Sequence, residues 1–178
     1  MNRIIRALTG ISVALLMLGC VAANRAFAGA DEEGENASGL LPQVAAAKVS
    51  LEQGLAAAES EGKALSAKFE LEDGKLQLAV YTKRDGKYFE VIVDHETGAV
   101  SKTEEIKGGD DLRAAQRQDR AMTKAKISLQ QALEKSLAAH AGAKAIRASA
   151  YMSRKGHAMA DIDIVAGGKA SEAPQRLD

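Results

Sequence analysis

A short stretch of the sequence repeats at a constant spacing of 78 residues, and this repeat constrains the fold more than any other feature. Residues 48–55 read KVSLEQGL and residues 126–133 read KISLQQAL, so five of the eight positions are identical. Self-similarity at a fixed spacing indicates one structural unit used twice. We therefore divide the chain into copy one, residues 44–105, and copy two, residues 124–178.

Each copy opens with the signature of a helix start. Ser50 is followed three residues later by Gln53, and Ser128 by Gln131. In this capping box the serine oxygen accepts a backbone N–H at the start of the helix, while the glutamine reaches back to the backbone of the serine. A single apolar stripe follows in both copies and predicts a helix lying on another element; it consists of Leu51, Leu55 and Ala58 in copy one and Leu129, Leu133 and Leu137 in copy two.

Copy one continues with three runs in which apolar and polar residues alternate. Period two places the apolar residues on one face of an antiparallel sheet; they are Phe69 and Leu71, then Leu76, Leu78 and Val80, then Phe89, Val91 and Val93. Asp73-Gly74 and Asp85-Gly86 lie between the runs, and such pairs tolerate the positive φ of a tight hairpin. The order is α-β-β-β, with a short edge strand possible near Val100.

Copy two keeps the beginning of this pattern and loses its end. Its first strand falls at Ile146, Ala148 and Ala150, or at Tyr151 and Met152 in a shifted register, and its second falls at residues 160–164. The third would cover residues 170–177, where Pro174 lacks a ladder donor and confines the segment to a sheet edge or a frayed tail. We expect copy two to be the less stable of the two.

The predicted fold class is α+β, with two small modules that each pack a helix on an antiparallel sheet of about three strands. Residues 106–123 are polar and predict a linker between the modules, which becomes a short helix if Asp110 or Asp111 caps it. Residues 29–43 are rich in acidic residues and glycine and predict a disordered segment.

The first 28 residues have the order of a secretory signal. Arg3 and Arg6 precede an apolar stretch at residues 7–23, and Ala26-Phe27-Ala28 matches a signal peptidase site, so cleavage is predicted between Ala28 and Gly29. The protein is then exported to the periplasm or the extracellular space. Two alternatives lead to a membrane instead: lipid attachment to Cys20 in a lipobox-like sequence, or retention of the signal as an anchor.

The exported part of the chain shows no sign of catalysis. It carries 21 basic and 24 acidic side chains and no cysteine, which argues against nucleic-acid binding and excludes disulfides. None of His95, His140 and His157 begins a metal-ligand spacing such as H-E-x-x-H. We therefore predict a non-enzyme with no catalytic residue, no cofactor and no metal ligand.

Asp161 and Asp163 alternate with isoleucines, so both carboxylates project from one strand face. Hard cations bind carboxylate oxygens, but calcium usually takes six or more ligands and only these two can be named. The solvated face of a half-exposed strand explains the pair equally well.

Several of these segments resemble the PepSY family of small exported bacterial modules. The resemblance rests on Lys48-Val49-Ser50-Leu51, on the strand at residues 89–93, and on a turn similar to the family's V-D-x-x-T-G-x-V. That turn contains Val93, Asp94, Thr97 and Gly98. The resemblance covers residues 46–100 of copy one, whereas copy two lacks the turn and ends in Gln175-Arg176-Leu177-Asp178.

The resemblance implies a helix against an antiparallel sheet and, as in propeptides of secreted metallopeptidases, a role in holding a peptidase inactive. It brings no catalytic residue. The expected function is that of a non-catalytic exported protein that binds or regulates a protein partner, with inhibition of a peptidase as the specific form. The alternative is a periplasmic protein that binds a metal or a small molecule.

The incomplete end of copy two suggests where a partner would bind. An unpaired strand edge can accept an extended peptide by strand addition. The candidate edge is residues 160–164, with 146–151 as its alternative; the former comprises Ala160, Asp161, Ile162, Asp163 and Ile164. The competing expectation is that residues 170–177 cover this edge.

Overall fold

The computed structural model describes residues 33–178, which form four α-helices and eight strands. The predicted signal, the cleavage site at Ala28 and Gly29, and Cys20 lie outside the described residues. The helices are α1 (Glu33–Ala46), α2 (Leu51–Ala58), α3 (Gly109–Lys124) and α4 (Leu129–Ala139). The strands are β1 (Lys63–Glu72), β2 (Lys75–Arg84), β3 (Lys87–Val93), β4 (Val100–Glu105), β5 (Lys144–Met152), β6 (Ala158–Ala166), β7 (Lys169–Glu172) and β8 (Gln175–Arg176).

All eight strands belong to one antiparallel sheet with the order β4-β3-β2-β1-β5-β6-β7, and β8 pairs with β6 beyond the end of β7. The architecture is α+β, as predicted. Copy one supplies β1 to β4 and copy two supplies β5 to β8. The two copies therefore meet where β1 pairs with β5 in the middle of the sheet.

The junction between the copies has approximate two-fold symmetry. Ala67 pairs with Ala148, 81 residues further along the chain. The same spacing relates two irregularities in the strands, since the register shifts after Ala64 in β1 and after Ala145 in β5. Because equivalent residues pair with each other, the pseudo-two-fold axis passes through the Ala67–Ala148 pair.

One face of the sheet carries α2 and α4, and the core lies beneath them. The buried apolar side chains form a single cluster that includes residues of both copies. Its largest fully buried members are Leu51, Leu55, Leu65, Leu78, Val80, Val91, Met122, Leu129, Leu133, Ile162, Ile164 and Leu177. The copies therefore share one core, so we treat them as one folded unit rather than as two independent modules.

The local signals read from the sequence are confirmed. Both capping boxes form, with Ser50 accepting from the N–H of Gln53 at 3.3 Å and Ser128 from that of Gln131 at 3.1 Å. The β1–β2 and β2–β3 turns of copy one are tight hairpins, and Asp73 and Asp85 in them both adopt positive φ. The short edge strand after residue 99 is β4.

The third strand of copy two is present in two pieces. β7 and β8 both pair with β6, and Pro174 lies in the gap between them. Within that gap the N–H of Ala173 still donates to the carbonyl of Ile162 at 2.7 Å. Pro174 therefore interrupts an edge strand without freeing the chain end, because Leu177 is 1% exposed.

The candidate partner-binding edge is therefore wrong. Residues 160–164 lie inside the sheet, since β6 pairs with β5 on one side and with β7 and β8 on the other. The alternative at residues 146–151 is also internal, because β5 lies between β1 and β6. Covering this edge satisfies backbone groups that would otherwise attract other chains.

Two segments predicted to be irregular are helical. Residues 33–43, expected to be disordered, belong to α1, which is held by Val44, a residue only 5% exposed. The predicted linker is mostly α3, which buries Ala115, Ala121 and Met122 against the sheet. Gly108, not an aspartate, occupies the N-cap of α3. None of the helices within residues 33–178 is both long and apolar enough to cross a membrane.

Equivalent lysines of the two copies form hydrogen bonds to the two long helices, α3 and α1. Lys63 and Lys144 both begin the central strands of their copies, and each donates to a carbonyl near the C-terminus of a long helix. Lys63 Nζ lies 2.7 Å from the carbonyl of Met122 in α3, and Lys144 Nζ lies 3.3 Å from that of Ala45 in α1. A cation at this end of a helix also favours the helix dipole.

Candidate functional site

Helix α3 crosses the face of the sheet opposite α2 and α4, over the junction of the copies. Gln118 accepts a hydrogen bond from Ser66 of β1 at 3.1 Å and donates one to Ser149 of β5 at 3.1 Å. Because Ser66 and Ser149 pair with each other across the two strands, one glutamine connects both copies to α3.

A second contact fixes α3 over copy one. Asp119 accepts from Lys83 Nζ at 2.6 Å and from the hydroxyl of Tyr88 at 3.1 Å. The hydrogen bond to Asp119 raises the pKa of Lys83, and burial together with the same carboxylate raises the pKa of Tyr88. These contacts hold the helix in one position and so define the surface beside it.

Beside the N-terminal half of α3 lies an open groove of about 610 Å³, which we call the α3 groove. Its floor is the outward face of β1 and β5, and its rim includes Leu40 of α1 and Leu71. The polar residues that line it are Ser66, Lys68, Glu70, Tyr81, Asp111, Gln118, Arg147, Ser149 and Asp163. Both copies therefore contribute to one concave surface.

Arg147 organises the charges on the copy-two side of the groove. Its guanidinium lies 3.1 Å from Asp161 Oδ2 and 3.6 Å from Asp163 Oδ2. The two aspartates do share a strand face, as the alternation predicted. Arg147, which the sequence interpretation did not select, makes ion pairs with both of them.

On the copy-one side, Lys68 forms an ion pair with Glu70 and lies 5.6 Å from the centre of the Tyr81 ring. The hydroxyl of Tyr81 donates to Glu90 at 2.9 Å. Burial and the nearby Glu90 raise the pKa of Tyr81, so the phenol stays protonated across the physiological range. The groove thus combines an aromatic ring, an arginine and paired charges.

Burial raises the pKa of the Asp163 carboxyl, and the guanidinium of Arg147 only partly offsets this effect. The folded protein therefore holds a proton on Asp163 more readily than the unfolded chain does. This contribution to stability is present at low pH and is lost as the pH rises through the folded-state pKa of Asp163. At neutral pH the charged carboxylate is a cost to the fold.

We expect Asp163→Asn to be more stable than the wild type at neutral pH, because the amide removes the buried charge and leaves Arg147 with Asp161. The advantage should shrink as the pH falls towards the ordinary pKa of an aspartate, where the wild-type carboxyl is protonated in both states. Urea unfolding of both proteins at pH 7, 5 and 4 measures this difference directly. An advantage that grows on acidification contradicts the assignment.

The turn that carries the family resemblance is a structural element. Asp94 Oδ1 accepts from the N–H groups of Glu96 and Thr97 at 2.9 and 2.8 Å and from the Thr97 hydroxyl at 3.0 Å, which lowers the pKa of Asp94. Gly98 has a φ of 78°, which glycine adopts without strain.

This turn also positions α2. The carbonyl of His95 accepts from the N–H groups of Lys48 and Val49 at 3.1 and 3.0 Å. In copy two the carbonyl of Leu177 makes the equivalent bonds to residues 126 and 127, at 2.6 and 3.2 Å. Copy two therefore lacks the turn but keeps its structural role.

The three histidines lie far apart in the fold: His95 in the turn, His140 at the end of α4, and His157 between β5 and β6. His140 Nδ1 lies 2.8 Å from the carbonyl of Ser136, and His157 Nδ1 lies 3.4 Å from Asp178. Among residues 33–178, no three His, Cys, Asp or Glu side chains come together as a metal site would require.

Comparison with known families identifies copy one. Residues 48–104, from the start of α2 to within β4, match the family model described as the peptidase propeptide and YPEB domain. This segment is a PepSY domain. The match includes β1 and β2, which supply Lys68, Glu70 and Tyr81 to the α3 groove.

Comparison of the whole chain with curated proteins yields no match. Among solved structures, the chain is similar to a candidate lipoprotein from Clostridium difficile 630, with 18% identical residues and a TM-score of 0.37. That similarity covers 71% of this chain and 84% of the other.

Proposed function

We propose that this protein is a non-catalytic exported protein that binds a protein partner in the α3 groove. The observation that carries the proposal is the groove itself, an open surface built by both copies with Tyr81, Arg147 and apolar rim residues side by side. Protein interfaces are enriched in tyrosine and arginine and combine apolar area with hydrogen bonding at the rim. An extended segment of a partner fits such a groove.

The paired charges of the groove favour a polypeptide over a small charged ligand. Arg147 is already neutralised by two aspartates and Lys68 by Glu70. Displacing these partners for one small ion would leave partly buried carboxylates unpaired, which is costly. A peptide can instead contact the Tyr81 ring and the aliphatic parts of these side chains while the ion pairs stay intact.

The specific partner we propose is a peptidase, which the protein restrains. This step rests on the PepSY domain, whose family includes peptidase propeptides. The proposed route is export through the signal at residues 1–28. Mass analysis of the protein from producing cells tests this route: a chain beginning at Gly29 supports cleavage, and an acylated chain beginning at Cys20 supports the lipoprotein alternative.

Two variants of α3 test the groove. Ala114 lines it, and Ala114→Arg places a long side chain within it. Gln116→Arg adds the same side chain at an exposed position of the same helix and serves as the control. Arginine is a good helix former, so both variants should fold.

We expect the wild type and Gln116→Arg to capture the same protein from the exported fraction and to slow its hydrolysis of peptides, and Ala114→Arg to do neither. Equal capture by all three proteins contradicts the groove as the binding site. A captured protein without peptidase activity contradicts the peptidase step alone. No capture, with a metal or small ligand seen in native mass spectrometry, supports the alternative of a metal- or small-molecule-binding protein.

A further inference from the structure

The outer edge of β4 is unpaired by any strand within residues 33–178. The N–H of Ile106, just after the strand, donates inward to the carbonyl of Tyr88 at 2.8 Å. Hydrogen-bonding direction alternates along an antiparallel strand. Lys102 and Glu104 therefore also bond inward, whereas Thr103 and Glu105 direct their N–H and C=O groups outward.

The side chains on this edge are complementary to themselves. Lys102 and Glu104 are two residues apart, project from the same face, and each have 58% of their side-chain surface exposed. If a second β4 strand lies antiparallel with Thr103 opposite Thr103, Lys102 of each chain falls opposite Glu104 of the other. Two opposite-charge pairs then form across the axis.

The backbone geometry fits the same register. The outward groups of Thr103 can exchange both hydrogen bonds with Thr103 of the second chain. Lys102 and Glu104 then occupy non-hydrogen-bonded positions, where facing side chains come closest. We propose that the protein forms a symmetric dimer through β4, in which two sheets continue into one.

The opposite edge of the sheet does not have this property. β7 has four residues, and its Lys169 and Glu172 are three apart. Residues with an odd spacing send their backbone groups to opposite sides of a strand, so these two cannot face each other in a regular antiparallel register. The β4 edge, by contrast, also exposes apolar surface: Val100, at the start of β4, is a large apolar residue that is 37% exposed.

Charge reversal gives a sharp test of the dimer. In a dimer of the Lys102→Glu variant, two pairs of glutamates face each other across the axis. In a dimer of the Glu104→Lys variant, two pairs of lysines do. An equimolar mixture of the two variants restores both opposite-charge pairs in a heterodimer. The positions are exposed, so each variant should fold like the wild type, which circular dichroism verifies.

Analytical ultracentrifugation of the mature protein over a range of concentrations measures the association. We expect a dimer for the wild type, a dissociation constant raised at least about tenfold for each single variant, and recovery on mixing. Thr103→Pro removes one outward N–H without breaking a bond to β3, and it should also weaken the dimer.

A wild type that is monomeric at all concentrations overturns the proposal. Dimerisation unchanged in both charge variants, or no recovery on mixing, overturns the β4 register. The result is independent of partner binding, because β2 and β3 separate β4 from β1 in the groove floor, and Ala114→Arg should dimerise like the wild type.

Discussion

Replacing Gly54 with alanine is expected to destabilise the protein by about 1–3 kcal/mol, although alanine is the better helix former. A Cβ atom at position 54 would lie 2.9 Å from Cγ of Leu78 and closer still to one of its Cδ atoms. Leu78 is fully buried and has little room to move. Helix α2 therefore approaches β2 as closely as it does because position 54 has no side chain.

The second copy has different residues at the equivalent contact. Ala132 occupies the equivalent position in α4, and Ala160 occupies the place in β6 that Leu78 has in β2. Both alanines are fully buried. Copy two thus has a slightly larger residue in the helix and a much smaller one in the strand.

This difference predicts a compensating pair. Leu78→Ala alone should cost about 2–5 kcal/mol because it leaves a cavity. The double variant Gly54→Ala/Leu78→Ala should lose at least about 1 kcal/mol less than the sum of the single losses, since the new methyl group enters the vacated space. Urea unfolding of the four proteins gives the comparison, and strictly additive losses contradict the close packing of α2 on β2.

Leu177→Ala is expected to lower the free energy of unfolding by about 2–4 kcal/mol, a large effect for a residue next to the chain end. The Leu177 side chain is 1% exposed, and its N–H donates to the carbonyl of Ala158 at 2.9 Å. Its carbonyl holds the start of α4 as His95 holds that of α2.

The neighbouring residue supplies the control for Leu177. The Arg176 side chain is 57% exposed, so truncating it leaves no cavity, and Arg176→Ala should cost less than about 1 kcal/mol. Thermal or urea unfolding separates the two variants. A loss for Leu177→Ala as small as that for Arg176→Ala contradicts a fixed chain end. It would support the frayed tail that the sequence alone permits.

The parts of the fold that sequence could predict are those specified by nearby residues. The capping boxes need only Ser50 with Gln53 and Ser128 with Gln131, and the hairpins need only Asp-Gly pairs between alternating runs. The turn at Asp94 is closed by bonds within four residues. Such local signals are readable without knowing what the rest of the chain does.

The sequence predicts a linker where α3 lies because this segment contains few large apolar residues. It packs on the polar face of the sheet and does so through small residues, Ala115 and Ala121, and through the hydrogen bonds of Gln118 and Asp119. A helix held in this way lacks a strong apolar stripe. Composition therefore predicts a solvated segment, and the α3 groove cannot be predicted without the helix.

The role of Arg147 cannot be predicted from the sequence for a related reason. Its pairing with Asp161 and Asp163 depends on β5 lying beside β6, and its place in the groove depends on β5 lying beside β1. The β1–β5 pairing joins residues about 80 positions apart with no hairpin turn to mark it. The repeat indicated two similar units but not how they meet.

We infer that the two copies form one folded unit through the β1–β5 pair. Hydrogen exchange measured across a urea titration tests it directly, using peptides from residues 63–93 of copy one and 144–166 of copy two. We predict that both sets of amides lose protection at the same urea concentration, because one core and one sheet serve both copies. Loss of protection in copy two at lower urea, with copy one still protected, would contradict the claim.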